Sequence, residues 1–273
     1  MLPLHDENPT SRRAWLTLAL IAVNVAVFVV VQPRADTSDG IEFSYEYAAI
    51  PCEIVRGSPL TVDEIVETVN GDDEACRREI TDSDTQDGTP AHSTLEEVFP
   101  DKNPWLAIVA SMFLHGGWLH LGFNMWFLWI FGNNVEDHLG RTRYLLFYLA
   151  GGVIATFAHV AIGPNSTVPI IGASGAVAAV MGAYLVWFPN ARVRTLVLFF
   201  LVLFVQVRAK WLLLAWLVSQ FFLNTDSGIA WMAHVGGFVF GSLVGLAIRE
   251  SVKARTAMWR TDYSGDDHGF WNN

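Results

Sequence analysis

Long apolar runs recur along this chain with few charges inside them, and no other feature restricts the fold as strongly. A helix needs about 20 apolar residues to cross ~30 Å of hydrocarbon, and fewer where it tilts or starts below the surface. Ala14 to Val31 is such a run, preceded by Arg12 and Arg13. Trp118 to Phe131, Tyr144 to Ile162, Gly175 to Phe188 and Ile229 to Ile248 are further runs. Thr195 to Leu223 is divided by Arg208 and Lys210 into two apolar runs of 13 residues, each too short to cross comfortably. One crossing centred on Trp211 to Leu223, with Thr195 to Val207 at the interface, brings the count to six. With 52% hydrophobic and 16% charged residues, the expected class is an all-α polytopic membrane protein built as a six-helix bundle. Reading the first run as a signal-peptide core is disfavoured, because such cores span only ~7 to 15 residues and no A-x-A site follows.

An even number of crossings puts both termini on one side. With the N-terminus cytoplasmic, 12 of the 17 Lys and Arg lie inside, as the positive-inside rule requires. The five outside, Arg34, Arg56, Arg77, Arg78 and Lys102, all belong to one long segment, residues 32–103. That segment also holds 18 of the 27 Asp and Glu, so the acidity of the chain sits in one outer loop and nucleic acid is not an expected partner. The composition favours a solvated, partly disordered loop. Cys52 and Cys76 both lie there, where an oxidising exterior would permit a disulfide, although their spacing does not establish one. The expected organisation is a cytoplasmic N-terminus (1–13), a first crossing (14–31), the acidic loop (32–103), a core carrying the other five crossings (104–249) and a cytoplasmic tail (250–273).

Polar groups inside apolar runs are costly and are functional candidates by default. Gly172-Ala173-Ser174-Gly175 places a hydroxyl near the start of the fourth apolar helix, where unpaired backbone N–H groups favour an anion. Gly172 and Gly175 remove side chains that would block a substrate carbonyl or a neighbouring helix. Taken alone, this tetrapeptide is more often a packing motif. His234, followed by Gly236, Gly237 and Gly241, is the only histidine of the last run and the preferred base. His120 and Asn124, spaced i, i+4, share one helix face and could aim two donors at one oxygen. His115, in Leu114-His115-Gly116-Gly117, is expected near the outer interface, orienting the loop or holding water. His159 has no polar neighbour and reads as a packing or interface residue. No convincing aspartate completes a triad, since Asp137 falls on the inner side and Asp226 in a short outer loop, so a dyad is the simpler arrangement. A metal site is disfavoured, because no carboxylate or cysteine accompanies His120 in a crossing and H-E-x-x-H is absent.

Phe113-Leu114-His115-Gly116-Gly117-Trp118-Leu119-His120, Asn124, Gly172-Ala173-Ser174-Gly175 and Ala233-His234-Val235-Gly236-Gly237 together resemble the rhomboid intramembrane serine proteases. The resemblance runs from about Pro104 to Ile248. It implies a six-helix core open to the outer side, a Ser174 nucleophile, His234 as base and later acid, and an oxyanion site from His120, Asn124 and the Ser174 backbone N–H. It implies single-span membrane proteins as substrates, cut near the outer end of their helix, and no cofactor. The setting it implies is the lipid bilayer of a bacterial-type plasma membrane, with no particular oligomeric state. Two positions depart from patterns in the family: Trp105 is followed by Leu106 rather than Arg, and Ala178 stands where some members have a Tyr that stacks on the histidine. A non-catalytic rhomboid-like client binder is the main rival from another class; such relatives typically lack the serine or histidine, and both are present here. A transporter is disfavoured by the lack of an inverted repeat or an intramembrane carboxylate.

Overall fold

Helix α8, Ser174–Trp187, is buried on all sides from Gly175 through Tyr184, so the other helices are arranged around it. In the computed structural model, which describes residues 2–76, 97–198, 202–222 and 230–248, the chain opens with strand β1 (Leu2–Asp6) and helix α1 (Trp15–Ala26), whose last turn widens into a π-helical Val27–Val31. Three short helices follow, α2 (Ser38–Tyr47), α3 (Pro51–Arg56) and α4 (Val62–Val69). Then come α5 (Pro104–Ser111), α6 (Trp118–Leu139), α7 (Arg141–Val160) and α8. Strands β2 (Arg192–Leu198) and β3 (Val202–Arg208) precede α9 (Ala209–Gln220) and α10 (Trp231–Ala247). Among the described residues, α7 is the one helix long and apolar enough to cross a membrane unaided; Trp15–Val31, α8 and α10 are shorter apolar helices.

The closest packing is between α8 and α10. A Cβ at Gly237 would run into the Gly175 carbonyl, one at Gly241 into the Ala179 carbonyl, and one at Gly182 into the Phe238 carbonyl. The two backbones therefore touch along a seam that any side chain would prise apart. Around them, Leu128, Phe131, Tyr144, Tyr148 and Leu213 fill the core. α1 is fixed at its start by α6: Glu136 accepts from Leu16 N at 3.0 Å, Thr17 N at 2.7 Å and Thr17 Oγ1 at 2.8 Å. No residue of α1 caps that end, so the carboxylate takes over the role of an N-cap from another helix.

The expectation of an all-α chain is corrected by a three-stranded antiparallel sheet in the order β1-β2-β3. The described residues of Thr195 to Val207, expected to lie at the interface, form most of the paired strands β2 and β3, with Arg192 opposite Arg208 and Leu198 opposite Val202. Val193, Thr195, Val197, Val202, Val205 and Val207 give this stretch the β-branched composition that fits a pleated surface. β1 closes the other edge through Asp6. Its carboxylate is buried and accepts from Asn134 Nδ2 at 2.6 Å and Tyr184 Oη at 2.8 Å. Burial pushes the Asp6 carboxyl above its ordinary range, against the pull of those hydrogen bonds.

The acidic segment 32–103, expected on the outer side and called the outer unit after that expectation, is a second correction. Instead of a solvated loop, its described residues form α2, α3 and α4 around Tyr45, Ile50, Cys52 and Leu60, with Cys52 bonded to Cys76 at a Cα separation of 5.8 Å. Thr61 and Glu64 close a reciprocal capping box at the start of α4, and Pro51 occupies the first turn of α3. The rest of this segment, with Arg77 and Arg78, lies outside the described residues, as do Asp226 and the expected tail 250–273. The one grouping of three metal-ligating side chains among the described residues is Cys52, Glu64 and Cys76. Its two sulfurs are joined to each other and offer no thiolate.

This outer unit is clamped onto the loop that leads into α8. Ile170 N donates to Ala49 O at 2.7 Å, Cys52 N to Ser166 O at 2.9 Å and Thr167 N to Asp73 O at 2.9 Å. Thr68 and Thr167 add a buried hydroxyl pair at 2.7 Å. The segment ahead of Ser174 is therefore held by this unit as well as by the bundle.

Candidate active site

Ser174 is the first residue of α8, so the free backbone N–H groups of the first turn face the space beside its side chain. Gly172, two residues earlier, has a φ of 121°, a conformation that residues with a Cβ rarely adopt. A Cβ there would also lie 2.8 Å from His120 Nε2 and 3.6 Å from Ser174 Oγ. Gly172 thus brings the α8 approach against the His120 ring, while its N–H is used by Ser111 O at 2.9 Å. Gly175 and Gly237 meet one helical position below, in the α8–α10 seam, which sets the distance between Ser174 and His234.

That distance is 2.8 Å between Ser174 Oγ and His234 Nε2. On the other side of the ring, His234 Nδ1 lies 2.6 Å from Gln220 Oε1 on α9. Gln220 is not among the site residues the sequence points to, since its run reads only as an apolar crossing. The available signal was an amide at the end of a run otherwise nearly free of polar side chains, by the same reasoning that marked His234. An aromatic neighbour also comes from α9. Ala178 leaves no ring beneath the histidine, and Trp216 lies beside it with ring centroids 5.9 Å apart.

His120 and Asn124 face the same space from α6. His120 Nδ1 accepts from Gly116 N at 3.3 Å, which leaves Nε2 as the protonated nitrogen of a neutral ring. Asn124 Nδ2 donates to His120 O at 2.9 Å and has a second N–H to offer. His115 is fully buried within the protein. Its ring stands edge-on to His120 with centroids 5.2 Å apart, and its backbone is held by Gln32, which accepts from His115 N at 3.0 Å and donates to His115 O at 2.7 Å. His115 therefore braces His120 and lies behind the site. His159, expected to be a packing or interface residue, borders the open space.

Ser174, His234, His120, Asn124 and His159 line one cavity of about 860 Å³, with Asp73 and Glu74 of the outer unit at its edge. A hydroxyl hydrogen-bonded to an imidazole, opposite two N–H donors, is equipped for nucleophilic attack on a carbonyl and for holding the oxyanion that results.

Residues 102–251 match the family model described as the Rhomboid domain. The chain is 34% identical over 146 residues to YdcA of Bacillus subtilis (strain 168), covering 51% of this chain and 65% of the relative. It is 40% identical over 81 residues to the rhomboid protease GluP of the same organism, covering 30% and 15% respectively. It is also 30% identical over 162 residues to the mitochondrial Rhomboid protein 1 of Saccharomyces cerevisiae (strain ATCC 204508 / S288c), covering 54% and 43%. These matches span less than two thirds of each relative's own length. Since the family model takes in more than half of the residues, the chain belongs to the rhomboid family, a family of helical integral membrane proteins.

Proposed function

We propose that this rhomboid is an intramembrane serine endopeptidase that hydrolyses peptide bonds in or next to transmembrane segments of membrane proteins. The observation that carries the reading is the 2.8 Å contact between Ser174 Oγ and His234 Nε2, within a cavity that His120 and Asn124 also line. Ser174 attacks the scissile carbonyl carbon while His234 Nε2 takes the hydroxyl proton. The carbonyl oxygen, now carrying the negative charge, accepts from His120 Nε2–H, Asn124 Nδ2–H and the Ser174 backbone N–H. As the C–N bond breaks, His234 returns the proton to the leaving amine. Water then enters with His234 as base, releases the acyl group and restores Ser174.

In the topology that goes with this reading, α1, α6, α7, α8, α9 and α10 are six crossings and both termini are cytoplasmic in a bacterial-type plasma membrane. The outer unit and the cavity edge marked by Asp73 and Glu74 then face outward. Substrates are single-span proteins, whose helix must unwind locally before a peptide bond can reach Ser174.

A serine-directed fluorophosphonate tests the assignment without a known substrate. Wild-type protein should become labelled and Ser174→Ala protein should not; equal labelling of both refutes the reading. Asn124→Ala should lower kcat on a model substrate with KM unchanged, by the ~2.7 to 4 kcal/mol that one oxyanion donor contributes. Unchanged kcat would remove Asn124 from the oxyanion site.

A further inference from the structure

We infer that Gln220 is a positioning residue for His234, holding it in the one tautomer that can accept the Ser174 proton. The inference rests on the Ser174–His234 reading and adds to it a third group, supplied by α9. Gln220 ends α9, is 5% exposed, and points into the bundle although the neighbouring Phe221 and Phe222 are exposed.

The orientation of its amide follows from its contacts. Gln220 Nε2 lies 3.1 Å from Trp216 O, and a backbone carbonyl can only accept, so the NH₂ end must face it. Nε2 also donates to Ser219 Oγ at 3.2 Å. The atom left facing His234 Nδ1 at 2.6 Å is therefore Oε1, which can only accept. A neutral imidazole meets that acceptor by carrying its proton on Nδ1. Nε2 is then an unprotonated lone pair, 2.8 Å from Ser174 Oγ. In the opposite tautomer two lone pairs would face each other at 2.6 Å and an N–H would be directed at the serine, so base catalysis could not begin.

The same contact serves the next step. Once His234 has taken the serine proton, Nδ1–H still donates to Gln220 Oε1, so the imidazolium keeps a partner. A carboxylate would stabilise that charge more, but between membrane helices it would itself be costly to bury. A neutral amide performs the orienting role without a permanent charge.

Gln220→Leu removes the acceptor at similar volume, Gln220→Asn keeps an amide but shortens its reach, and Gln220→Glu keeps an acceptor at full length. Each full-length variant, in liposomes, would be measured for its rate of fluorophosphonate labelling, kcat, KM and thermal midpoint. Gln220→Leu and Gln220→Asn should lose about 10- to 100-fold in labelling rate and in kcat with KM unchanged, a part of the ~10² to 10⁴ that general base catalysis supplies. Gln220→Glu should recover activity and move the acidic limb of the kcat profile to higher pH, because a carboxylate favours the imidazolium. His120, His159, Asp73 and Glu74, the other titratable groups around the cavity among the described residues, are the same in all variants.

Wild-type labelling rates in Gln220→Leu or Gln220→Asn would overturn the inference. So would a loss shared equally by Gln220→Glu, or one confined to KM or the thermal midpoint. If Gln220→Leu fails to fold, the Asn and Glu pair still decides between the outcomes. Ser174→Ala separates the two readings: if it is labelled, the Ser–His assignment itself fails, whereas an unlabelled Ser174→Ala beside a normally labelled Gln220→Leu removes only the role of Gln220.

Discussion

Ser174→Ala protein is expected to leave a single-span membrane substrate uncut under conditions in which wild-type protein cleaves it to completion. Alanine at this position keeps the helix start, since Ser174 makes no side-chain cap in α8 and its hydroxyl meets only His234 among the hydrogen bonds seen. The packing below Ser174 depends on Gly175 and Gly237, which the substitution does not touch. A folded but inactive protein is therefore the expected product, with the same thermal midpoint as wild type. His234→Ala should be as inactive as Ser174→Ala, and the double variant no worse than either. Residues that act as one unit give such non-additive losses, on the order of 10⁶-fold in a soluble serine protease. Additive losses would mean that the two side chains contribute separately, and full cleavage by Ser174→Ala protein would sink the proposed mechanism.

The serine, both site histidines and the asparagine were legible because a polar side chain in an apolar run has to justify its desolvation. Four short motifs in a fixed order then marked a family, although each motif alone is compatible with packing. Gln220 escaped because its role depends on reach between helices. Nothing in the sequence distance from Gln220 to His234 says that α9 delivers the amide to the far side of that ring.

The sheet escaped for a different reason. The apolar run Thr195 to Val207 fits a strand pair and a helix at the interface equally well, and period alone does not separate them. Its valine content was the usable signal, and the pairing with Leu2–Asp6 came from the opposite end of the chain. In the outer segment, acidity suggested solvation, yet Thr61 followed by Glu64 three residues later is a helix-start pattern, and Pro51 is another. Composition described the surface of that unit, while its small core of Tyr45, Ile50, Cys52 and Leu60 depends on a few residues that averaging hides.

The outer unit also carries the largest expected effect on stability, at the ion pair between Glu53 and Lys102. Their side chains are each 2% exposed, with Lys102 Nζ 2.6 Å from Glu53 Oε2. Leu60 N donates to Glu53 Oε1 at 3.1 Å, and Lys102 also donates to Tyr45 O at 2.5 Å. Burial pushes the Glu53 carboxyl above its ordinary 4.5 and the Lys102 amine below its ordinary 10.5, and each charge partly restores the other. Removing one partner leaves the other charge buried alone, so Lys102→Met or Glu53→Gln should each destabilise this unit by about 3 to 5 kcal/mol near neutral pH. The double variant should recover much of that loss, because two neutral side chains leave no unpaired charge. The two single variants should respond to pH in opposite senses. In Lys102→Met, the raised folded pKa of Glu53 means that the folded state holds the proton longer, so the deficit grows as pH rises through 4.5 and shrinks below it. In Glu53→Gln, the lowered folded pKa of Lys102 means that the unfolded state holds the proton longer, so the deficit shrinks as pH climbs toward 10.5. Thermal midpoints across pH would show the crossing slopes; parallel pH dependence in the two variants would contradict a buried pair. Because Ala49, Cys52 and Asp73 hold the loop that ends at Ser174, both single variants should also slow fluorophosphonate labelling as the outer unit loosens, whereas the double variant should label close to the wild-type rate.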